Sequence, residues 1–591
     1  MLKIMKYLPK NVKFLIFISA LLALLDPLLF MILPFLTKQF IQIMADTNIR
    51  KIYFLGWKIN TNLNPILVLS LLTFGFSIIT FINIFLGFWV SGKMSVLAAY
   101  YLRKKLFDHI IYLSKKEIDK VSYSTIITRF SNDINKITEG LMTVTRSFIV
   151  SPGFVVFGAV FSFIISPSLS ISLAIIIPLL AISALILIFK VFPLYRKENY
   201  ALDALNAIAK EDINNITLIK SYNLEERQLL RYQEKNNHYL EIMKKEMNYG
   251  VIVWKMVDYF VGLGSPLIFA IIAGVILKSK NINPTELIGT IYQFNIYISM
   301  ISHGVVRSFF TMNWVFRTAV SAKRFDEIMN INSSIPMVNN QNFIENTNIV
   351  FKDINFSYPN SENGIKDINL EIKPNSFVGI IGKAGSGKST LIKLLVKEYL
   401  PDSGNIYISD KNINEIDTKN FYENISLVFQ NIKILSGTIK TNMTFANTNN
   451  NVDLDWINKI KNLSCANYID SFENLYDYEI NQRGKNLSGG QKQRLAIAQA
   501  IYKKPKILIL DDATNSLDNE IDLKVRSNII NEFKDSTLIM IAQRISSIKE
   551  ADQIIVLDKG KIVGQGDHKT LLENNKYYQD LYYSQEGKNE Q

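Results

Sequence analysis

The stretch "SFVGIIGKAGSGKST", residues 376 to 390, runs an aliphatic segment into a glycine-rich loop and then into Lys-Ser-Thr. Gly382, Gly387, Lys388 and Ser389 stand at the fixed positions of the phosphate-loop pattern, with Lys383, Ala384, Gly385, Ser386 and Thr390 completing it. Glycines here let backbone N–H groups point at phosphate oxygens with no Cβ in the way. Lys388 brings positive charge to the β/γ end, Ser389 a hydroxyl for Mg²⁺, and the following helix aims its positive end inward. The pattern predicts strand, loop and helix in series, the opening of an α/β nucleotide-binding domain.

The flanks agree. "IVFKDINFSYPN" and "GIKDINLEIKPN" are short β-rich runs separated by turn residues, and helices alternate with strands after the loop. Further on, "ILILDDATNSLD", residues 507 to 518, reads as a buried strand that delivers two carboxylates, Asp511 and Asp512, to its end.

The first half of the chain is different. Of 591 residues 48% are hydrophobic, high for a soluble protein of this length. Apolar runs cover residues 12–41, 64–93, 147–168, 169–194, 250–278 and 286–316, each at or above the roughly 20 residues that span a bilayer core. They predict a six-helix membrane domain over 1–320, a linker over 321–344 and the α/β domain over 345–591. The first run follows "MLKIMKYLPKNVK" but is too long for a signal peptide and has no small-residue cleavage site, so it is expected to remain.

Net charge is +13, which suits nucleic acid or anionic lipid headgroups; six apolar runs exclude a soluble DNA-maintenance protein, and no nucleic-acid partner is expected. Residues 95–146 and 195–249 hold nine Lys/Arg each against three in 42–63, placing both basic loops, the termini and the α/β domain on the cytoplasmic side of a cell membrane, in a bacterium. These loops carry apolar residues at three- and four-residue spacing, the mark of helices extending the spans. The single cysteine, Cys465, excludes an intrachain disulfide.

"NLSGGQKQRLAIAQAI", residues 486 to 501, decides among nucleotide-binding families. With its LSGGQ, the chain resembles the ATP-binding cassette (ABC) family, and the order of features matches along the sequence: Tyr358, the phosphate loop, Gln430, Leu487 to Gln491, Asp511, Asp518 and Gln543. Six spanning runs followed by one cassette resemble an exporter-type half-transporter, in which two chains make the working unit. The resemblance implies ATP and Mg²⁺ as ligands, Tyr358 stacking on adenine, and Ser389, Gln430 and Asp511 at the metal. It also implies that Leu487, Ser488, Gly489, Gly490 and Gln491 close on ATP held by the partner chain. Segments near Asn132 to Lys136 and Asp212 to Lys220 are implied to couple the membrane loops to the cassettes.

Two positions depart from the family. Asp512 replaces the catalytic glutamate and Gln543 the switch histidine. A carboxylate one methylene shorter sits about an ångström back from the water it polarises, a displacement that can cost about a hundredfold in rate. Gln543 can donate a hydrogen bond but cannot carry imidazole proton chemistry. With the signature intact, the expectation is the degenerate-site half of a heterodimeric exporter of an amphipathic solute such as a drug, lipid or peptide. The alternatives are a slow homodimer, uptake, or an ATP-gated regulator on the same fold. In or near the spans, Asp26, Lys255, Asp258, His303 and Arg307 are either substrate-facing groups or groups that snorkel and pair.

Overall fold

A computed structural model describes residues 2–45, 52–54, 57–59, 63–171, 173–259, 266–268, 271–272, 274–275, 284–358, 363–445 and 453–586. The chain folds as two units, Met1–Ile111 with Ser124–Asn330, and Tyr112–Tyr123 with Ile331–Gln591.

The first unit is helical. Its main elements are α1 (Lys10–Ala45) and α2 (Pro65–Ile110), then α3 (Ile134–Ile165), α4 (Leu173–Ile186), α5 (Phe192–Asn214), α6 (Ile216–Ser221), α7 (Glu225–Tyr259) and α8 (Pro284–Met329). Among the described residues four stretches are long and apolar enough to cross a membrane: Lys10–Ala45, Pro65–Ile110, Tyr123–Ile165 and Leu173–Asn214. The expected run 286–316 lies in α8, and the run 250–278 falls partly outside the described residues. On α2, Phe74, Phe81 and Phe85 are 59–68% exposed, apolar side chains that suit lipid rather than water.

Helix pairs close through small residues. A Cβ on Gly158 would lie 2.6 Å from Ile301 Cγ1, and one on Gly304 would lie 2.7 Å from the Ser151 carbonyl, so α3 and α8 meet where side chains are absent. The polar interior is paired too. Asp26 of α1 accepts from Asn83 Nδ2 of α2 at 2.6 Å and from Arg146 Nη2 of α3 at 3.0 Å, and the Arg146 guanidinium lies 3.6 Å from the Phe88 ring centroid. Three spanning helices are thus joined at one buried carboxylate. Lys255 and Asp258 pair at 3.5 Å on an exposed face; His303 is exposed, and Arg307, also exposed, donates to Ser147 Oγ at 3.3 Å.

The second unit is built on β1 (Ile349–Ser357), β2 (Gly364–Ile372), β3 (Phe377–Ile381), β4 (Ser403–Ile408), β5 (Ile425–Val428), β6 (Ile507–Asp511), β7 (Thr537–Ile541), β8 (Gln553–Asp558) and β9 (Lys561–Gly566). One sheet has the order β9-β8-β3-β7-β6-β5, parallel except for β9; the second, antiparallel, has β2-β1-β4 and the two-residue strand Lys411–Asn412. Every residue of β3, β6 and β7 is buried. Alternate side chains feed two cores: Leu508, Leu510, Leu538 and Met540 on one face, Ile507, Ile509, Ile539 and Ile541 on the other. A parallel sheet covered on both faces explains why these strands read as unbroken aliphatic runs. Its helices include α9 (Lys388–Leu395), α10 (Gly489–Ile501), α11 (Asn519–Glu532) and α12 (Lys576–Glu586).

The segment Tyr112–Tyr123, which lies in sequence between α2 and α3, packs with this second unit. Its short helix Lys115–Val121 presents Asp119, which accepts from Tyr399 Oη at 2.6 Å. The sequence expectation put the first coupling contact at Asn132 to Lys136. There Asp133 is instead buried within the first unit, accepting from Ser321 Oγ at 2.7 Å and from Arg129 Nη1 at 2.6 Å, so its charge is already satisfied. In the second loop, α6 belongs to the first unit, and Lys220 pairs with Glu225 at 2.7 Å.

Candidate ATP site

The phosphate loop sits between the end of β3 and the start of α9. Gly387, at φ +102°, occupies the left-handed region, and a Cβ there would meet Ile365 Cγ2 at 2.8 Å; a Cβ on Gly382 would stand 2.1 Å from the Leu557 carbonyl. Glycine is required at both positions for conformation and space together. Lys388 bends back over the loop, donating from Nζ to the carbonyls of Gly382 at 2.8 Å and Lys383 at 3.1 Å. Burial holds its ammonium below the ordinary lysine value, while the charges of Asp512 and Asp511 act in the opposite sense. Ser386 Oγ is buried without a hydrogen-bond partner. An orphaned hydroxyl in a loop that a Cβ would fill, beside a buried cation, fits a phosphate group.

At the end of β6, Asp511 accepts from Ser389 Oγ at 3.2 Å. Burial pushes its carboxyl above the ordinary value, and the neighbouring Asp512 charge adds to the shift. A hydroxyl and a carboxylate oxygen so placed are hard donors, the kind Mg²⁺ takes. Asp512 is buried at φ +50°. Its Oδ2 accepts from Gln543 Nε2 at 3.0 Å and Gln430 Nε2 at 3.3 Å, while Oδ1 is buried with no partner. Three residues singled out from sequence, 82 and 31 positions apart, therefore meet on one carboxylate.

Tyr358 is half-buried, its ring set edge-on to Phe356 and Tyr399 at centroid distances of 5.1 and 5.4 Å. Its hydroxyl is 3.2 Å from Thr390 Oγ1 and accepts from Lys393 Nζ at 3.4 Å. Tyr399, which sequence reading did not single out, touches both Tyr358 and Asp119; its family-neutral position in "KEYL" carries no spacing signal.

Leu487 to Gln491 lie apart, at the start of α10. Ser488 caps that helix: its Oγ accepts from the Gln491 amide at 3.2 Å, and Gln491 Oε1 accepts from the Ser488 amide at 2.8 Å. Gly489 and Gly490 follow as the first helical residues. Two residues on, Gln493 Oε1 accepts from the Ser516 amide at 2.9 Å, tying α10 to the loop that leads from Asp512 to Asp518. Asp518 precedes α11 as its N-cap residue, without a side-chain cap bond.

Two family models match the chain, one for the ABC transporter domain over residues 365–515 and one for the ABC transporter transmembrane region over residues 16–302. A Mycoplasma genitalium protein assigned as an ABC transporter ATP-binding protein is 31% identical over 526 residues, spanning 85% of this chain and 82% of that one. A Rickettsia bellii protein assigned as an export ATP-binding/permease protein is 30% identical over 81% of this chain and 83% of its own. Among solved structures, a bacterial Atm1-family ABC exporter with ATP bound superposes with a TM-score of 0.78 at 20% identity, over 97% of this chain and 98% of that one. The chain belongs to the ABC transporter family: a membrane protein with the exporter fold, whose transmembrane and ATP-binding domains are fused in one polypeptide and whose ATPase activity is coupled to transport.

Proposed function

We propose that the chain is one half of a heterodimeric exporter of an amphipathic solute, and that the site on its own phosphate loop binds ATP but hydrolyses it slowly. The observation that carries this reading is the state of Asp512, a short carboxylate whose Oδ2 is taken by the amides of Gln430 and Gln543. A general base needs a free acceptor within reach of the water proton. Two neutral donors hold Oδ2 and neither can relay a proton, so Oδ1 is left as the acceptor, on a side chain one methylene shorter than glutamate.

In this reading the backbone of residues 382 to 390 binds the phosphates, Lys388 balances their charge, and Tyr358 offers its ring to adenine. Ser389, Gln430 and Asp511 would hold Mg²⁺, which supplies charge neutralisation at the β/γ oxygens. Ser488 to Gln491 complete the site on the partner, where hydrolysis is fast. The capping box at Ser488 supports this, because it fixes the start of a helix whose positive end favours an anion.

ATPase activity of the purified chain alone, and of the chain joined with the product of the neighbouring gene, tests the proposal. Weak activity alone and strong activity in the pair are expected. Vigorous turnover by this chain alone would sink it. Asp512→Glu should raise activity at this site by restoring the missing methylene, and an unchanged rate would show that reach is not the defect.

A further inference from the structure

The last described helix, α12, touches the nucleotide site at two places. Near its start, Tyr577 donates to Asp558 Oδ1 at 3.0 Å, and its ring centroid lies 5.7 Å from Lys383 Nζ of the phosphate loop. Near its end, Gln585 donates from Nε2 to the carbonyl of Gln543 at 2.8 Å and accepts at Oε1 from the amide of Ile545, also at 2.8 Å. The eight steps from one residue to the other rise about 12 Å along a helix. One rigid element therefore spans from the loop that would hold phosphate to the loop that carries the switch glutamine.

The helix is itself well anchored. Tyr578 is fully buried in the core, its hydroxyl 2.8 Å from His568 Nδ1, and its amide donates to Asn575 Oδ1 at 2.9 Å. Gln585 is thus presented from a fixed base. Its single amide group meets the two backbone groups that flank Arg544, a strand-like pairing that sets the peptide planes on both sides of that residue. Arg544 is held in turn, donating from Nη1 to Asn519 Oδ1 at 2.8 Å.

We propose that Gln585 is a positioning residue for the ATP site. It sets the backbone of Gln543 to Ile545 so that the Gln543 amide stays on Asp512 and faces the γ-phosphate end. The inference rests on reading Gln543 as the residue at that end. The side chain of Gln543 reaches Asp512 from a backbone whose carbonyl Gln585 holds, so releasing that carbonyl frees the peptide to turn and withdraws the amide.

The full-length chain in lipid nanodiscs supplies the test, comparing wild type with Gln585→Ala, Gln585→Glu and Gln543→Ala. Amide exchange of residues 543 to 547 reads the clamp itself. It should quicken in Gln585→Ala, whereas Gln585→Glu, which keeps an acceptor for the Ile545 amide and loses the donor to the Gln543 carbonyl, should leave Ile545 better protected than Gln585→Ala does. Affinities for ADP and for the non-hydrolysable analogue AMP-PNP read the consequence. Wild type should favour AMP-PNP. Gln585→Ala should lose about three- to tenfold for AMP-PNP, the range of one or two hydrogen bonds, with ADP unchanged within about twofold. Gln543→Ala should lose the same preference.

Unchanged exchange in Gln585→Ala overturns the clamp. Faster exchange with equal losses for both nucleotides, or with none, reduces Gln585 to a structural role and overturns the proposal. If Gln543→Ala alone leaves the preference intact, the reading of Gln543 fails even though exchange still reports the clamp.

Discussion

At the scale of single residues, the buried charges make the sharpest predictions. Lys397 is 5% exposed, lies 4.1 Å from the Phe421 ring centroid, and burial lowers its pKa from 10.5 to about 8. Folding at neutral pH therefore carries the cost of burying an ammonium. Between pH about 8 and 10.5 the unfolded chain retains a proton that the folded one has released, so stability rises with pH across that window. Lys397→Met should raise the melting midpoint at pH 7 by a few degrees and flatten the trend, measured by thermal unfolding at pH 7 and 9.5. The Asp26 and Arg146 pair behaves in the opposite way. Arg146→Met strands a buried carboxylate and should cost about 3–5 kcal/mol, while adding Asp26→Asn should restore most of it. A melt of the detergent-solubilised variants checks both.

Elements decide how much of this was legible in the sequence. Strand β6 was readable because its burial on both faces leaves an unbroken aliphatic run, and the carboxylates fall at its end by necessity. Leu508→Ala should cost about 2–5 kcal/mol by opening a hole in one of the two cores. The residues at Ser488 were singled out only for the partner's ATP, although Ser and Gln three apart before a helical run are also the pattern of the cap found there. Ser488→Ala should cost about 1 kcal/mol of local stability, read as faster amide exchange in the first turn of α10. Other features had no such signature. Arg146 meets Asp26 across 120 positions, and Gln585 meets Gln543 across 42. Neither pairing leaves a period or spacing in the sequence, because the fold creates it. The segment expected to couple, Asn132 to Lys136, belongs to the first unit, where Asp133 is turned onto Ser321 and Arg129, contacts that leave no spacing signal either.

At the scale of the whole molecule, a piece of the membrane half's first loop folds with the ATP-binding unit. The contact is chemically specific. Tyr358, proposed for adenine, packs edge-on against Tyr399, and Tyr399 donates to Asp119 at 2.6 Å. Burial raises the Asp119 carboxyl, but hydrogen bonds from Lys115 and Tyr399 outweigh it and leave its pKa below the ordinary value. Tyr399→Phe keeps both ring contacts and removes only the hydroxyl. Nucleotide is expected to slow amide exchange of residues 112 to 123 in wild type, and Tyr399→Phe should remove that slowing while leaving AMP-PNP affinity within about twofold; slowing that persists would show that the hydroxyl transmits nothing.

The bond from the Ser516 amide to Gln493 has a consequence for communication between sites. Ser516 stands four residues after Asp512, a span of at most about 14 Å of chain. Gln493 lies on the helix whose first turn is offered to the other chain's nucleotide in the two-chain arrangement proposed above. A shift of the peptide at Asp512 that carries through to Ser516 would pull on that hydrogen bond and on the helix. In such a pair that bond would give each ATP site a route to the other, so that a change at one would be felt at the other.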